Sequence, residues 1–141
     1  MIQIQIYFSF LFLMMSPFVN TMKIPNMRKI SYINRDLAKG YKTVIIDIDN
    51  TICSTEKSNY MTSIPLYDNI EKFNSLYDKG HMINYWTARG ANSGENWDIF
   101  TMRQLHFWGV KYDALFMDKP HYDIWIDDKA YNINDIDDLT I

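Results

Sequence analysis

The stretch 42–51, which reads KTVIIDIDNT, decides how the rest of this chain is interpreted. Residues 43–48 form a short, continuous, β-branched apolar run, which is typical of a strand buried on both faces of a parallel sheet. Asp47 and Asp49 stand at the end of this run, where the chain is expected to leave the strand. The sequence therefore predicts a buried strand that delivers two carboxylates to one edge of a sheet.

Further apolar runs recur along the chain, each with the length and composition of a strand. With the first run included, the predicted strands are 43–48, 81–86, 114–117 and 122–126. Between the first two runs, a polar loop over 50–65 is followed by a predicted helix over 66–79 that Gly80 ends. This alternation is typical of an α/β fold with a mostly parallel sheet and helices on its faces.

A second helix is expected between the second and third strands. Asn92 and Glu95 have the spacing of a capping box, in which two side chains satisfy the first backbone N–H groups of a helix. We expect this helix to begin there and to reach Trp108, before Gly109.

Polar residues follow or adjoin the predicted strands, and the carboxyl ends of parallel strands share one edge of the sheet. Ligands bind at that edge in open α/β sheets, so we expect these side chains to meet in one crevice. The candidate site residues are Asp47, Asp49, Thr87, Arg89, Lys119, Asp127 and Asp128.

The four carboxylates in this set would repel one another unless a cation neutralised them. Oxygen ligands suit a hard divalent ion, and few protein ligands combined with water suit Mg²⁺. A carboxylate such as Asp47 can attack phosphorus and form an aspartyl-phosphate, while Asp49 exchanges protons with the leaving group and water. Thr87 and Lys119 are expected to hold the transferred oxygens. Arg89 is left between a substrate contact and a local backbone cap.

At this point the sequence resembles the haloacid dehalogenase-like (HAD) superfamily. The residues that carry the resemblance are DIDNT at 47–51, Thr87, Lys119 and the pair Asp127 and Asp128, which look like the family's four motifs in order. The stretches WTARG at 86–90 and KPHYDIWIDDKA at 119–130 are similar to small HAD proteins of capsular polysaccharide biosynthesis.

The resemblance implies a Rossmann-like, three-layer αβα sandwich and a Mg²⁺-dependent phosphatase that acts on a small phosphorylated substrate, including a sugar phosphate. It implies that Asp47 is both nucleophile and metal ligand, that Asp49 is the acid/base and binds the metal through its carbonyl, and that Asp127 and Asp128 complete the metal site. Thr87 and Lys119 match phosphate-binding positions. The insert at 52–65 is too short for a cap domain, which implies a capless member.

Two other functions are kept open. One is a catalytically weak module that binds phosphate and metal in a regulatory role, because a fold does not guarantee activity. The other is a nucleic-acid end phosphatase, which the net charge of −3 disfavours since no basic stripe accompanies the predicted crevice.

The amino-terminal part, residues 1–41, is expected to be an extension of a catalytic domain at 42–141. Its first 22 residues carry no charge, and residues 23–41 form a basic linker. The apolar part lacks a positive start and an A-x-A-like cleavage site, and Pro17 interrupts it, so we expect a cytoplasmic protein. A secreted or membrane-anchored location applies if 1–22 is a real targeting segment. The sequence leaves a homo-oligomer open.

Overall fold

The computed structural model describes residues 35–141, so the apolar segment 1–22 and most of the linker 23–41 lie outside the described residues. The described strands are β1 (Thr43–Ile46), β2 (Cys53–Ser54), β3 (Ile64–Pro65), β4 (Met82–Trp86) and β5 (Ala114–Phe116). The helices are α1 (Tyr67–Asp78) and α2 (Asp98–Phe107), and short 3-10 segments lie at Tyr60–Thr62 and Ile133–Asp138.

The main sheet is parallel and has the order β1-β4-β5. Val44 lies beside Ile83 and Asn84 lies beside Ala114, so the three strands end at the same edge. The prediction of an α/β fold with a mostly parallel sheet is confirmed. The insert predicted as a loop contains a small antiparallel hairpin, β2 with β3.

Both helices cover the same face of this sheet. The strand order advances in one direction, and right-handed crossovers between parallel strands then place α1 and α2 on one side. Ile70 and Phe73 of α1 and Leu105 of α2 accordingly share one buried cluster with Ile83 and Tyr85, which point to the same face of β4. Burial of each such side chain contributes about 1.5–3 kcal/mol.

The opposite face of the sheet is open to solvent at Ile45. Ile45 points there and is 63% exposed. Within residues 35–141 the architecture is therefore a sheet with one helical layer, and the second helical layer of a three-layer sandwich is not among these residues.

No helix in this described part is long and apolar enough to cross a bilayer.

The second helix begins later than the sequence indicated. It starts at Asp98, after Trp97 as its N-cap residue, so the capping box at Asn92 and Glu95 was wrong. Gly90 (φ +85°) and Gly94 (φ +71°) have left-handed backbones and turn the chain through this stretch before the helix begins.

The fourth predicted strand was also wrong, since residues 122–126 form no strand. Ile124 is 79% exposed and Ile126 is 92% exposed, whereas a central strand would have buried both. Trp125 instead packs edge-on against Trp86 at the end of β4, with ring centroids 5.8 Å apart. This contact holds the segment across the end of the sheet rather than beside β5.

An ion pair fastens the first described residues to the amino-terminal edge of the sheet. Arg35 donates to both carboxylate oxygens of Asp113 at 2.6 and 2.8 Å, and to the carbonyls of Tyr77 and His81. Asp113 is 2% exposed and also accepts the backbone N–H of Ile83 at 2.7 Å. The fold therefore includes residues ahead of β1, at the edge opposite the predicted site.

Candidate active site

The ends of the three parallel strands deliver the predicted site residues to one cleft. Asp47 follows β1, Thr87 follows β4, and Lys119 comes shortly after β5. These residues line a cleft of about 480 Å³ together with Asp49 and Arg89. The structure thus brings together the predicted residues from the first three motifs.

The local backbone explains why both carboxylates face the cleft. Ile48 and Ile52 are fully buried, and the N–H of Ile52 donates to the carbonyl of Ile48 at 2.9 Å, which turns the chain off the strand. Asn50 takes a left-handed conformation (φ +59°) in this turn, as its residue type tolerates. Because Ile48 points inward, its neighbours Asp47 and Asp49 point away from the core.

Asp47 is paired with a buried lysine. The Nζ of Lys119 lies 3.3 Å from Oδ1 of Asp47, and Lys119 is only 8% exposed. The same ammonium lies 4.9 Å from the ring centroid of Tyr122 and 5.9 Å from that of Trp125. Burial raises the pKa of the Asp47 carboxyl, and the Lys119 charge opposes part of that rise. The pair places the Asp47 carboxylate beside a buried positive charge.

Asp49 is held mainly by Arg89 and Thr55, and the Cys53 thiol lies 3.8 Å from its Oδ1. Arg89 donates from Nε to Oδ2 at 2.9 Å and from Nη2 to Oδ1 at 2.8 Å. The hydroxyl of Thr55, from the insert, donates to Oδ1 at 2.6 Å. These bonds fix the orientation of the Asp49 carboxylate within the cleft.

Arg89 lines the cleft and is held by other side chains of the protein. Its side chain has no exposed surface, and its remaining contacts are to Gln104 Oε1 at 2.7 Å and Thr101 Oγ1 at 3.3 Å. Its guanidinium also lies 4.7 Å from the ring centroid of Tyr60. The side chain therefore binds protein acceptors rather than capping the local backbone, and a contact between Arg89 and a substrate stays a prediction.

Thr87 is fully buried at the inner end of the cleft. Its hydroxyl accepts the backbone N–H of Arg89 at 3.2 Å, and its carbonyl accepts the backbone N–H of Lys119 at 3.2 Å. A hydroxyl that accepts one hydrogen bond still has its own hydrogen to donate, so Thr87 can donate to a phosphate oxygen.

The outer part of the cleft combines aromatic and polar side chains. Tyr60 and Trp97 meet edge-on with ring centroids 5.0 Å apart. The polar residues that line this part include Lys57, Asn92, Ser93 and Glu95. Such a rim can contact the apolar faces and the hydroxyl groups of a polar substrate.

The fourth motif does not reach the cleft. Asp127 and Asp128 are exposed and are not among the residues that line it. The backbone N–H of Lys129 donates to Asp127 Oδ1 at 2.8 Å and lowers the pKa of Asp127, as in a solvated turn. The predicted gathering of four carboxylates is therefore not found here, because the strand that was to carry two of them does not form.

The carboxylates of the cleft are the candidate ligands for the predicted Mg²⁺. Asp49 is already bound by Arg89 and Thr55, while Asp47 faces the cleft beside Lys119 and Glu95 lines the outer part. Within residues 35–141, no three His, Cys, Asp or Glu side chains are grouped closely enough to hold a metal ion. Water and phosphate oxygens would have to complete the ligands of a Mg²⁺ ion beside Asp47, and Mg²⁺ stays a prediction of the sequence.

Thr55 and Gln104 were missed by the sequence interpretation. Each lies outside the recognised motifs, one in an insert without periodicity and the other within a helix. A polar glutamine in α2 was the available signal, but nothing in the sequence pairs it with Arg89.

Comparison with known proteins supports the fold alone. No family model and no curated protein matches this chain. A crystal structure of a structural-genomics target from Vibrio cholerae is similar, with a TM-score of 0.64 and 24% sequence identity. The match covers 71% of this chain and 90% of that one. The similarity agrees with the α/β architecture and assigns no activity.

Proposed function

We propose that this protein is a capless HAD-type phosphomonoester hydrolase that acts through an aspartyl-phosphate on Asp47. The observation that carries the proposal is the Asp47–Lys119 pair at 3.3 Å, at the carboxyl edge of three parallel strands, in a cleft that Asp49 and Thr87 also line. This edge is where open α/β sheets bind ligands.

The proposed first step is attack by a carboxylate oxygen of Asp47 on the phosphorus of the ester. The phosphorus–oxygen bond to the alcohol breaks, and Asp49, which enters this step protonated, gives that proton to the departing oxygen. In the second step, water attacks the aspartyl-phosphate, Asp49 takes a proton from that water, and inorganic phosphate leaves with Asp47 restored. The Lys119 ammonium and the Thr87 hydroxyl hold the phosphoryl oxygens in both steps.

The charges of the cleft support a requirement for an added cation. A phosphate monoester carries roughly two negative charges at neutral pH, and Asp47 adds another. Lys119 supplies one positive charge, while Arg89 is already bound to Asp49. We therefore propose that turnover requires Mg²⁺ and stops when EDTA removes it.

The rim of the cleft favours a small polyol or sugar phosphate as the substrate. Tyr60 and Trp97 offer ring faces and edges, while Asn92, Ser93 and Glu95 offer neutral and acidic hydrogen-bonding groups. A nucleic-acid end is the weaker candidate, since this rim contributes one lysine, Lys57, and one carboxylate.

A second candidate function is a phosphate-binding regulatory module with little turnover. Two observations favour it: the Asp49 carboxylate is occupied by Arg89 and Thr55, and Asp127 does not line the cleft. Such a module would bind inorganic phosphate without releasing product.

The test is hydrolysis of p-nitrophenyl phosphate and of a panel of sugar and nucleotide phosphates by the full chain, with Mg²⁺ or with EDTA. We expect Mg²⁺-dependent turnover that the Asp47→Asn variant lacks. If wild type and Asp47→Asn release phosphate equally slowly on every substrate, the hydrolase is refuted. Phosphate binding by calorimetry would then support the regulatory module.

A further inference from the structure

The guanidinium of Arg89 is engaged at every nitrogen by protein acceptors. Nε and Nη2 bind the Asp49 carboxylate, and Nη1 lies within hydrogen-bond distance of Gln104 and Thr101. The Sγ of Cys53 lies 3.8 Å from Nη2, so the contacts match the five N–H groups that a guanidinium carries. A buried cation with its donors already used acts through the groups that it holds, rather than on a substrate.

The two oxygens of Asp49 differ in how far they are occupied. Oδ1 accepts the Thr55 hydroxyl at 2.6 Å and Arg89 Nη2 at 2.8 Å, whereas Oδ2 accepts Arg89 Nε at 2.9 Å. A carboxylate oxygen offers two lone-pair directions in its plane, so, counting donors within residues 35–141, Oδ1 is filled and Oδ2 keeps one. The free direction of Oδ2 is the one through which Asp49 can exchange a proton.

We propose that Arg89 is a positioning residue, held in place by Gln104, that presents Oδ2 of Asp49 to the leaving group. This inference rests on the proposed hydrolase and adds residues to it. Arg89 determines which oxygen of Asp49 faces the reaction, and Gln104 determines where Arg89 lies.

Gln104 is bonded at both ends of its amide. Oε1 accepts from Arg89 Nη1 at 2.7 Å, and Nε2 donates to the carbonyl of Tyr60 at 2.8 Å. The Tyr60 ring lies against the same guanidinium. Helix α2 and the insert are therefore joined through one amide that fixes Arg89. Without that amide, Nη1 loses its shorter hydrogen bond in a buried place, and the guanidinium must shift to recover one.

The chemical consequence depends on the leaving group. An alkoxide is a poor leaving group and needs a proton from Asp49, whereas p-nitrophenolate leaves without much help. Loss of the orientation of Oδ2 should therefore slow hydrolysis of an alkyl phosphate far more than hydrolysis of an aryl phosphate. Damage to the fold alone would slow both substrates equally.

The experiment measures kcat and KM of Gln104→Leu and Thr55→Val on glycerol phosphate and on p-nitrophenyl phosphate. His106→Ala, an exposed change on the same helix, is the matched control. For both test variants we expect kcat to fall about tenfold more on glycerol phosphate, with KM changed less than about twofold. The control should match wild type on both substrates.

Equal losses on the two substrates would overturn the positioning role and leave the hydrolase standing. Wild-type protein that hydrolyses neither substrate would overturn the hydrolase and this inference together. Thermal melting of each variant identifies a folding failure. If Gln104→Leu does not fold, Gln104→Met replaces it, because it keeps an unbranched side chain of similar length and removes the amide. Thr55→Val tests the orientation of the Asp49 carboxylate by itself, since Thr55 contacts Asp49.

Discussion

Replacement of Lys119 with methionine removes the ammonium that lies beside Asp47 while keeping an unbranched apolar side chain. At the observed separation of 3.3 Å, Coulomb attraction is about 1 kcal/mol in bulk water and about 5 kcal/mol at the effective dielectric near a protein surface. The Asp47 side chain is 33% exposed, so solvent screens the attraction and its strength lies in the lower half of this range, about 1–3 kcal/mol. A phosphoryl group bound to Asp47 would lie at a similar distance from the ammonium, so its charge should lose a similar stabilisation, and we expect kcat/KM to fall about 10- to 100-fold.

The same substitution should change the dependence on pH in a defined direction. Burial raises the pKa of Asp47 and Lys119 opposes the rise, so the variant should have an Asp47 pKa that is higher still. Asp47 must be ionised to attack phosphorus. The acid side of the kcat/KM profile should therefore move to higher pH in Lys119→Met.

The same substitution should also change how the stability of the protein depends on pH. A carboxyl whose pKa is raised by folding favours the folded state below its unfolded pKa, and that contribution is lost as the pH rises through the folded value. The melting temperature of Lys119→Met relative to wild type should therefore be lower at neutral pH than at acid pH.

The assay is the pH profile of kcat/KM on one substrate for wild type, Lys119→Met and Lys119→Arg. Lys119→Arg retains the positive charge and should keep the acid side of the profile close to that of wild type. An unchanged profile and rate in Lys119→Met would refute the assigned charge balance. Circular dichroism and thermal melting give the accompanying stabilities.

Two predictions concern the scaffold. Gly90→Ala should lower the free energy of unfolding by about 2–4 kcal/mol, because its φ is +85° and an added Cβ would lie 2.3 Å from a backbone oxygen. Gly94→Ala should lower the free energy of unfolding by only about 1 kcal/mol, because its φ is +71° and the space around it is open. Similar urea midpoints for the two would contradict the clash. Arg35→Ala should lower the free energy of unfolding by about 3 kcal/mol, because it leaves the buried Asp113 carboxylate without its cation. Lys72→Ala breaks an exposed ion pair and should lower the free energy of unfolding by less than about 1 kcal/mol. Equal losses in chemical denaturation would show that the first pair is no more important than the second.

The sequence was most informative where one local pattern determines one element. The apolar run that became β1, the spacing that became α1 and the short runs that became β4 and β5 each carry their own signal. Their shared carboxyl edge follows from parallel pairing, so the meeting of Asp47, Asp49, Thr87 and Lys119 could be expected without coordinates.

The failures of prediction come from contacts that no local pattern records. Residues 122–126 have the composition of a strand, but Trp125 packs on Trp86 and the segment stays outside the sheet. Arg35 and Asp113 are 78 positions apart, and nothing near either residue indicates the pair. The partners of Arg89 could not be predicted either, because Asp49 and Gln104 lie 40 and 15 positions away from it.

The ion pair at the amino edge and the cleft at the carboxyl edge have no residue in common. A library that randomises the rim of the cleft would therefore sample new substrate specificities without changing the Arg35–Asp113 ion pair. Such a division gives evolution, or an engineer, freedom to exchange substrates on this framework without first having to restabilise it.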